Sequence, residues 1–120
     1  MEYKFKYQKE LSEEKRRIEC EKLKRQFPDK IPIICEKDPK SKIKEIDKTK
    51  YLVPSDLTVG QFTSMVRKRI DIPQEGAFFL LVNGKNNIQG DQILSDIYDK
   101  YKNPNDGFLY IFYSSELIWG

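Results

Sequence analysis

The stretch KTKYLVPSDLTVGQFTSMVRKRI, residues 48–70, changes its period part-way along. Residues 48–53 alternate, placing Lys48, Lys50 and Leu52 on one face of a strand and Thr49, Tyr51 and Val53 on the other. Pro54-Ser55-Asp56 breaks that strand. Thr58 and Gln61 then have the spacing of a capping box, and Val59, Phe62, Val66 and Ile70 follow at i, i+3, i+7 and i+11. A strand, a turn and an amphipathic helix are predicted in succession.

Working upstream, Ile31, Ile33 and Cys35 alternate with Pro32, Ile34 and Glu36. This predicts a strand with Pro32 near its start or on a weakly paired side. Asp38-Pro39-Lys40-Ser41 is a turn or loop, so the two strands form a hairpin. Ser12 reads as an N-cap, with Glu13 and Glu14 in a first turn where acids favour the helix dipole. That helix should run to about Gln26 and stop before Pro28, with Cys20, Leu23 and Phe27 as a thin apolar stripe and Ile18 beside it. Residues 2–9, EYKFKYQK, are compatible with a strand, a short helix or an arm.

Downstream, residues 77–82, AFFLLV, form an apolar run ending at Asn83-Gly84, which predicts a buried central strand and a tight turn. Asp91 is the expected cap of a last helix with Leu94, Ile97, Tyr98 and Tyr101 on one face. A loop over residues 103–107 leads into a final strand, Phe108 to Tyr113. The order is helix, β, β, α, β, α, β. A hairpin, a crossover helix and a returning strand describe an α+β fold, the ubiquitin-like β-grasp, with extra N-terminal helical structure packed on the sheet.

Composition limits what such a domain can do. The 120 residues suit one domain, and the 34% charged fraction implies a strongly solvated surface. Residues 1–50 hold 16 Lys and Arg against 11 Asp and Glu, a net +5, although the whole chain is only +3. A basic front half favours an acidic partner: nucleic acid, an anionic membrane or an acidic peptide. Histidine is absent, which removes the commonest general base and metal ligand. Cys20 and Cys35 have no imidazole to activate them and are too few for a zinc site. No catalytic role, metal or cofactor is expected. The start, MEYKFKYQKE, lacks the apolar run of a signal peptide, and a cytoplasmic chain with reduced thiols is expected.

The run YLVPSDLTVGQF, residues 51–62, resembles the autophagy ubiquitin-like modifiers, nearest their GABARAP-like branch. FPDKIP at 27–32, CEK at 35–37 and FLYI at 108–111 extend the resemblance over nearly the whole chain. It implies an N-terminal helical extension over residues 1–27, a β-grasp domain over 28–114 and a conjugation tail over 115–120. The chain ends in Trp119-Gly120, and the family ends its mature form in an aromatic followed by glycine. The resemblance therefore implies that activating and conjugating enzymes join the Gly120 carboxylate to the amine of phosphatidylethanolamine. A cysteine protease would process and delipidate the chain. Glycine suits this because a tail without a Cβ threads a narrow groove. The chain would be found at autophagosome and other vesicle membranes once lipidated.

The resemblance also implies capture of short W/F/Y-x-x-L/I/V peptides of cargo receptors as an added strand. Carried over residue by residue, a first pocket comprises Glu19, Leu23, Pro32, Ile34, Lys50, Leu52 and Phe108. A second comprises Tyr51, Val53, Pro54, Leu57, Phe62, Met65 and Arg69. The alternation of residues 48–53 agrees with that division. Lys30, Lys48, Lys50 and Arg69 would attract acids flanking the motif, chiefly raising the association rate. Two anchors of about 2 kcal/mol each, together with the added strand and less ordering costs, suggest roughly micromolar binding. The ordinary alternatives stand beside this: lysines on an edge strand also deter aggregation, and leucines and aromatics at such spacings are commonly plain core. Lys15, Arg16, Arg17, Lys22, Lys24 and Arg25 could meet tubulin or anionic lipid, although such a run is more often a solvated helix face. Nucleic acid is not an expected partner, because the aromatics of the front half are not interleaved with its longest basic runs.

Overall fold

The structure, a computed structural model, describes residues 4–72 and 76–116. Its elements are α1 (Lys6–Glu10), α2 (Glu13–Gln26), β1 (Lys30–Lys37), β2 (Lys50–Pro54), α3 (Val59–Ile70), β3 (Phe79–Val82), β4 (Asn86–Ile88), α4 (Leu94–Tyr101) and β5 (Leu109–Ser114). The strands form one sheet in the order β2-β1-β5-β3-β4. β1 and β5 are parallel, and the other pairs are antiparallel. This is the expected β-grasp, with α3 on one face and the N-terminal helices on the other.

α3 follows its sequence signals closely. Thr58 Oγ1 accepts from Gln61 N at 3.1 Å, and Gln61 Oε1 accepts from Thr58 N at 2.9 Å. Val59, Phe62, Val66 and Ile70 are all buried. β2 begins at Lys50 rather than Lys48 and keeps Pro54 as its last residue, although Thr49 O still accepts from Cys35 N at 2.8 Å.

Other expectations are corrected. The 77–82 run is not the centre of the sheet: its strand is Phe79–Val82, and β5 holds the central place. A short strand, Asn86–Ile88, lies outside it, reached through a turn in which Asn83 (φ 56) and Gly84 (φ 72) are both left-handed. Gly84 is needed for space as well, since a Cβ there would sit 3.0 Å from the Phe112 ring. Helix α4 is capped not by Asp91 but by backbone: Ile93 is its N-cap, Leu94 N donates to Leu57 O at 2.9 Å, and Ser95 N donates to Ser55 O at 3.1 Å. The turn after β2 supplies acceptors that a side chain would otherwise provide.

The stripe of α2 is also shifted. Ile18 and Phe27 are exposed, and the inward residues are Arg16, Cys20 and Leu23, at i, i+4 and i+7. Residues 6–10 of the ambiguous N-terminal stretch are helical. The buried Glu36 carboxylate accepts from Lys6 N at 2.8 Å and Tyr7 N at 3.0 Å, while Phe5 stacks on Phe112 with centroids 3.9 Å apart. A carboxylate from β1 thus satisfies the free N–H groups of α1, and an aromatic anchor fixes its start.

Candidate functional site

β2 ends the sheet, so one side of it has no strand partner among the described residues. The bond from Cys35 N to Thr49 O sets the ladder's phase. Antiparallel alternation then makes Ile33–Tyr51 and Ile31–Val53 the hydrogen-bonded pairs. The backbone groups of Lys50 and Leu52 therefore point outward. Pro54 has no N–H and ends that row. An extended peptide could add here for about the length of a short motif.

Residues of β1 and α2 lie on one side of the edge, and a cavity lies on the α3 side. On the α2 side, Pro32 and Ile34 of β1 register with Leu52 and Lys50 of β2. Ile34 and Phe108 are fully buried, and Leu23 packs against their cluster. Above them Lys50 Nζ lies 3.2 Å from Glu19 Oε1, bridging β2 to α2. Six of the residues expected of the first pocket, Glu19, Leu23, Pro32, Ile34, Lys50 and Phe108, thus lie about the α2 side of the edge. Tyr7 was missed: its ring meets Phe108 edge-on at 5.3 Å, and Lys50 Nζ stands 5.6 Å from its centroid. No spacing in the sequence brings residue 7 to residue 108.

On the α3 side, a cavity of about 420 Å³ is lined by Lys48, Tyr51, Leu52, Val53, Met65, Lys68 and Arg69. It contains four residues expected of the second pocket, Tyr51, Val53, Met65 and Arg69. Leu52, grouped with the first pocket in the sequence, lines this cavity because it is half-buried at the very edge. Phe62 lies fully buried behind Tyr51, the rings 5.5 Å apart and nearly perpendicular. Leu57 is half-buried against the core, and Pro54 is exposed. Lys68 was missed, although Met65, Lys68 and Arg69 follow the i, i+3, i+4 spacing of one helix face. The hydroxyls of Tyr7 and Tyr51, one on each side of the edge, are buried without a hydrogen-bond partner among the described residues.

The cations differ in their engagement. Arg69 binds Asp47 through two nitrogens, at 2.8 and 3.3 Å, and these bonds hold the Asp47 carboxyl below the usual range. Lys48 Nζ stands 5.1 Å from the Tyr51 ring centroid, and Lys30 Nζ 5.8 Å from that of Phe27. Arg16 leaves the basic surface expected of α2, because it is 1% exposed and bound to Asp106. Both cysteines are buried; desolvation pushes the Cys20 thiol up to about 11 and the Cys35 thiol higher. Neither is a nucleophile near neutral pH. No helix among the described residues is long and apolar enough to cross a membrane.

β5 carries the chain toward its C-terminus. Ser115 N donates to Ser41 Oγ at 3.3 Å, and Glu116 N to Ser114 Oγ at 3.1 Å. Trp119 and Gly120 lie outside the described residues.

A family model described as "Autophagy protein Atg8 ubiquitin like" matches residues 15–120. The chain belongs to the Atg8 family. It is 51% identical over 107 residues to Autophagy-related protein 8 of Pichia angusta, covering 89% of this chain and 84% of that protein. Against Autophagy-related protein 8 of Schizosaccharomyces pombe the identity is 46% over 121 residues, covering 95% and 93%. The crystal structure of Trypanosoma brucei ATG8 superposes with a TM-score of 0.87 at 45% identity, covering 97% of this chain and 98% of that one. Membership makes this chain an autophagy ubiquitin-like protein, of a family of modifiers and adaptors rather than enzymes.

Proposed function

We propose that this Atg8-family chain is attached through the Gly120 carboxylate to the amine of phosphatidylethanolamine and recruits cargo receptors by accepting a short W/F/Y-x-x-L/I/V strand along β2. The observation that carries the recruitment reading is the outer edge of β2, with outward backbone groups at Lys50 and Leu52 beside the α3-side cavity. The aromatic anchor would enter beside Leu23, Ile34 and Phe108, displacing or sliding under the Glu19–Lys50 bridge. The aliphatic anchor would enter the cavity of Tyr51, Val53 and Met65. Lys30, Lys48 and Lys50 would meet acids beside the motif. Activating and conjugating enzymes and a cysteine protease would act on the tail, and autophagosome membranes would hold the lipidated form.

Two measurements test the two halves separately. Gly120→Ala is expected to abolish the added phospholipid mass in the intact-mass spectrum of the membrane fraction; retained lipid on that variant would sink the conjugation reading. Leu52→Ala is expected to weaken binding of a W-x-x-L peptide about tenfold or more, given about 2 kcal/mol per anchor contact. Leu52 is the better probe than Tyr51, because Tyr51 is 5% exposed and packs on Phe62, so its removal also damages the core. Unchanged affinity in a calorimetric titration of Leu52→Ala would reject the edge as the docking site.

A further inference from the structure

Part of the positive charge of the front half lies where the tail leaves the domain. β1 and β5 run parallel, with Lys37 in register with Tyr113, so loop 38–49 begins at the end where β5 releases the tail. Hydrogen bonds join them, beside that from Ser115 N to Ser41 Oγ. Asp38 N donates to Tyr113 O at 2.9 Å, Tyr113 OH donates to Lys44 O at 2.7 Å, and Ser41 Oγ lies 3.2 Å from Ser115 Oγ. The loop is held from beneath: Ser41 and Ile46 are buried and Ile43 packs on the core, while Lys42 and Lys44 between them, and Lys40 just before, are exposed.

Loop 38–49 carries four lysines against three acids. Two of those acids are engaged, Asp47 by Arg69 and Glu45 at 4.0 Å from Lys6. The basic last turn of α3 reaches the same end, since Arg69 holds Asp47 and Arg67 lies over Phe78, which stacks on Tyr113. The exposed large hydrophobic residues among those described, Ile18, Phe27, Met65 and Ile93, all lie outside this loop. The loop therefore offers charge without an apolar anchor point. That chemistry suits a fluid layer of anionic headgroups better than a peptide that must seat side chains.

We infer that Lys40, Lys42 and Lys44 form a docking surface for an anionic phospholipid bilayer, working beside the tail. The inference rests on the proposed attachment of Gly120 for its placement. Four residues beyond Glu116 span at most about 14 Å. Attachment thus keeps the end of β5 within about two screening lengths of the bilayer, one being about 8 Å at physiological ionic strength. The tether makes a weak electrostatic contact intramolecular, raising its effective concentration without any new contact. The contact in turn orients the domain with its tail end toward the bilayer.

The test uses the full, unconjugated chain, so it is independent of attachment. Cosedimentation is measured with vesicles of phosphatidylcholine alone and of phosphatidylcholine with phosphatidylserine, at low and physiological salt. Binding is expected only with phosphatidylserine and should fall as salt rises. The triple variant Lys40→Ala, Lys42→Ala, Lys44→Ala is expected to lose roughly tenfold or more in vesicle affinity, since each juxtamembrane lysine contributes several-fold. Its melting temperature should be unchanged. Lys15→Ala with Lys22→Ala, on the exposed face of α2, should leave binding nearly intact. Equal losses from the two variants, equal binding to neutral vesicles, or capture of polyglutamate by the loop without vesicle affinity would each overturn the inference; the last would give the surface to an acidic protein. Intact-mass analysis of Gly120 is read separately. Vesicle binding that survives while Gly120 carries no lipid supports the surface and rejects only the attachment.

Discussion

The two faces of the sheet are built from different chemistry. Toward α3, side chains of Ile33, Val53, Leu109 and Ile111 meet Val59, Phe62, Val66 and Ile70 in a mainly aliphatic core. Toward α2, alternate residues of the same strands, Ile34, Tyr110 and Phe112, join Phe108 and meet Phe5 and Cys20 in an aromatic cluster. Among the described residues, only the second face contains a buried ion pair, Arg16 with Asp106, which are 1% and 2% exposed. Asp106 also accepts from Tyr110 OH at 2.5 Å and from Phe108 N at 2.9 Å, and Arg16 Nε donates to Leu11 O at 3.1 Å. An apolar face tolerates small changes of shape, whereas a buried charge does not tolerate loss of its counter-charge. The N-terminal helices are held by the less forgiving chemistry.

The contrast breaks most clearly at Asp106. Asp106→Asn keeps the size but removes the charge that compensates the buried guanidinium, and a loss of about 3–5 kcal/mol in urea unfolding is expected. Adding Arg16→Met should recover much of that loss, because the asparagine amide introduced at position 106 can still serve Tyr110 and Phe108. A double variant no more stable than the single would show that the pair does not act as a unit.

A smaller effect should appear at high pH. Burial raises the Cys20 thiol to about 11 from 9, so the folded chain keeps a proton that the unfolded chain releases. The contribution is complete below pH 9 and is lost as pH rises through 11, amounting to about 2–3 kcal/mol at most. Chemical denaturation at pH values of roughly 8, 9, 10 and 11 should show stability falling, with a shallower fall in Cys20→Ala. Identical slopes would remove Cys20 from the account. The smallest expected effect lies on the aliphatic face: Ile70→Val should cost only about 0.5–1.5 kcal/mol by thermal melting. A larger loss there would erase the distinction between the faces.

Much of the site was legible. Period-2 alternation put Lys50 and Leu52 opposite Tyr51 and Val53, and the strand that carries them is the edge strand. Leu52 also lines the α3-side cavity, because it is half-buried on the outermost strand, where the two sides of the edge meet. The Glu19–Lys50 bridge and the place of Tyr7 were not legible, since each joins elements through space rather than through spacing.

By itself the sequence determined the elements whose signals are local: the capping box and apolar period of α3, the Ser12 cap of α2, the left-handed turn at Asn83-Gly84 and the hairpin strands. Those depend on nearest neighbours and on contacts within a few residues. Tertiary structure alone decided that Arg16 faces inward, that Glu36 caps α1, that backbone carbonyls start α4, and that β5 takes the centre of the sheet. Arg16 and Asp106 stand 90 residues apart. A buried charge is acceptable only when the fold delivers its partner, and no local pattern announces that delivery.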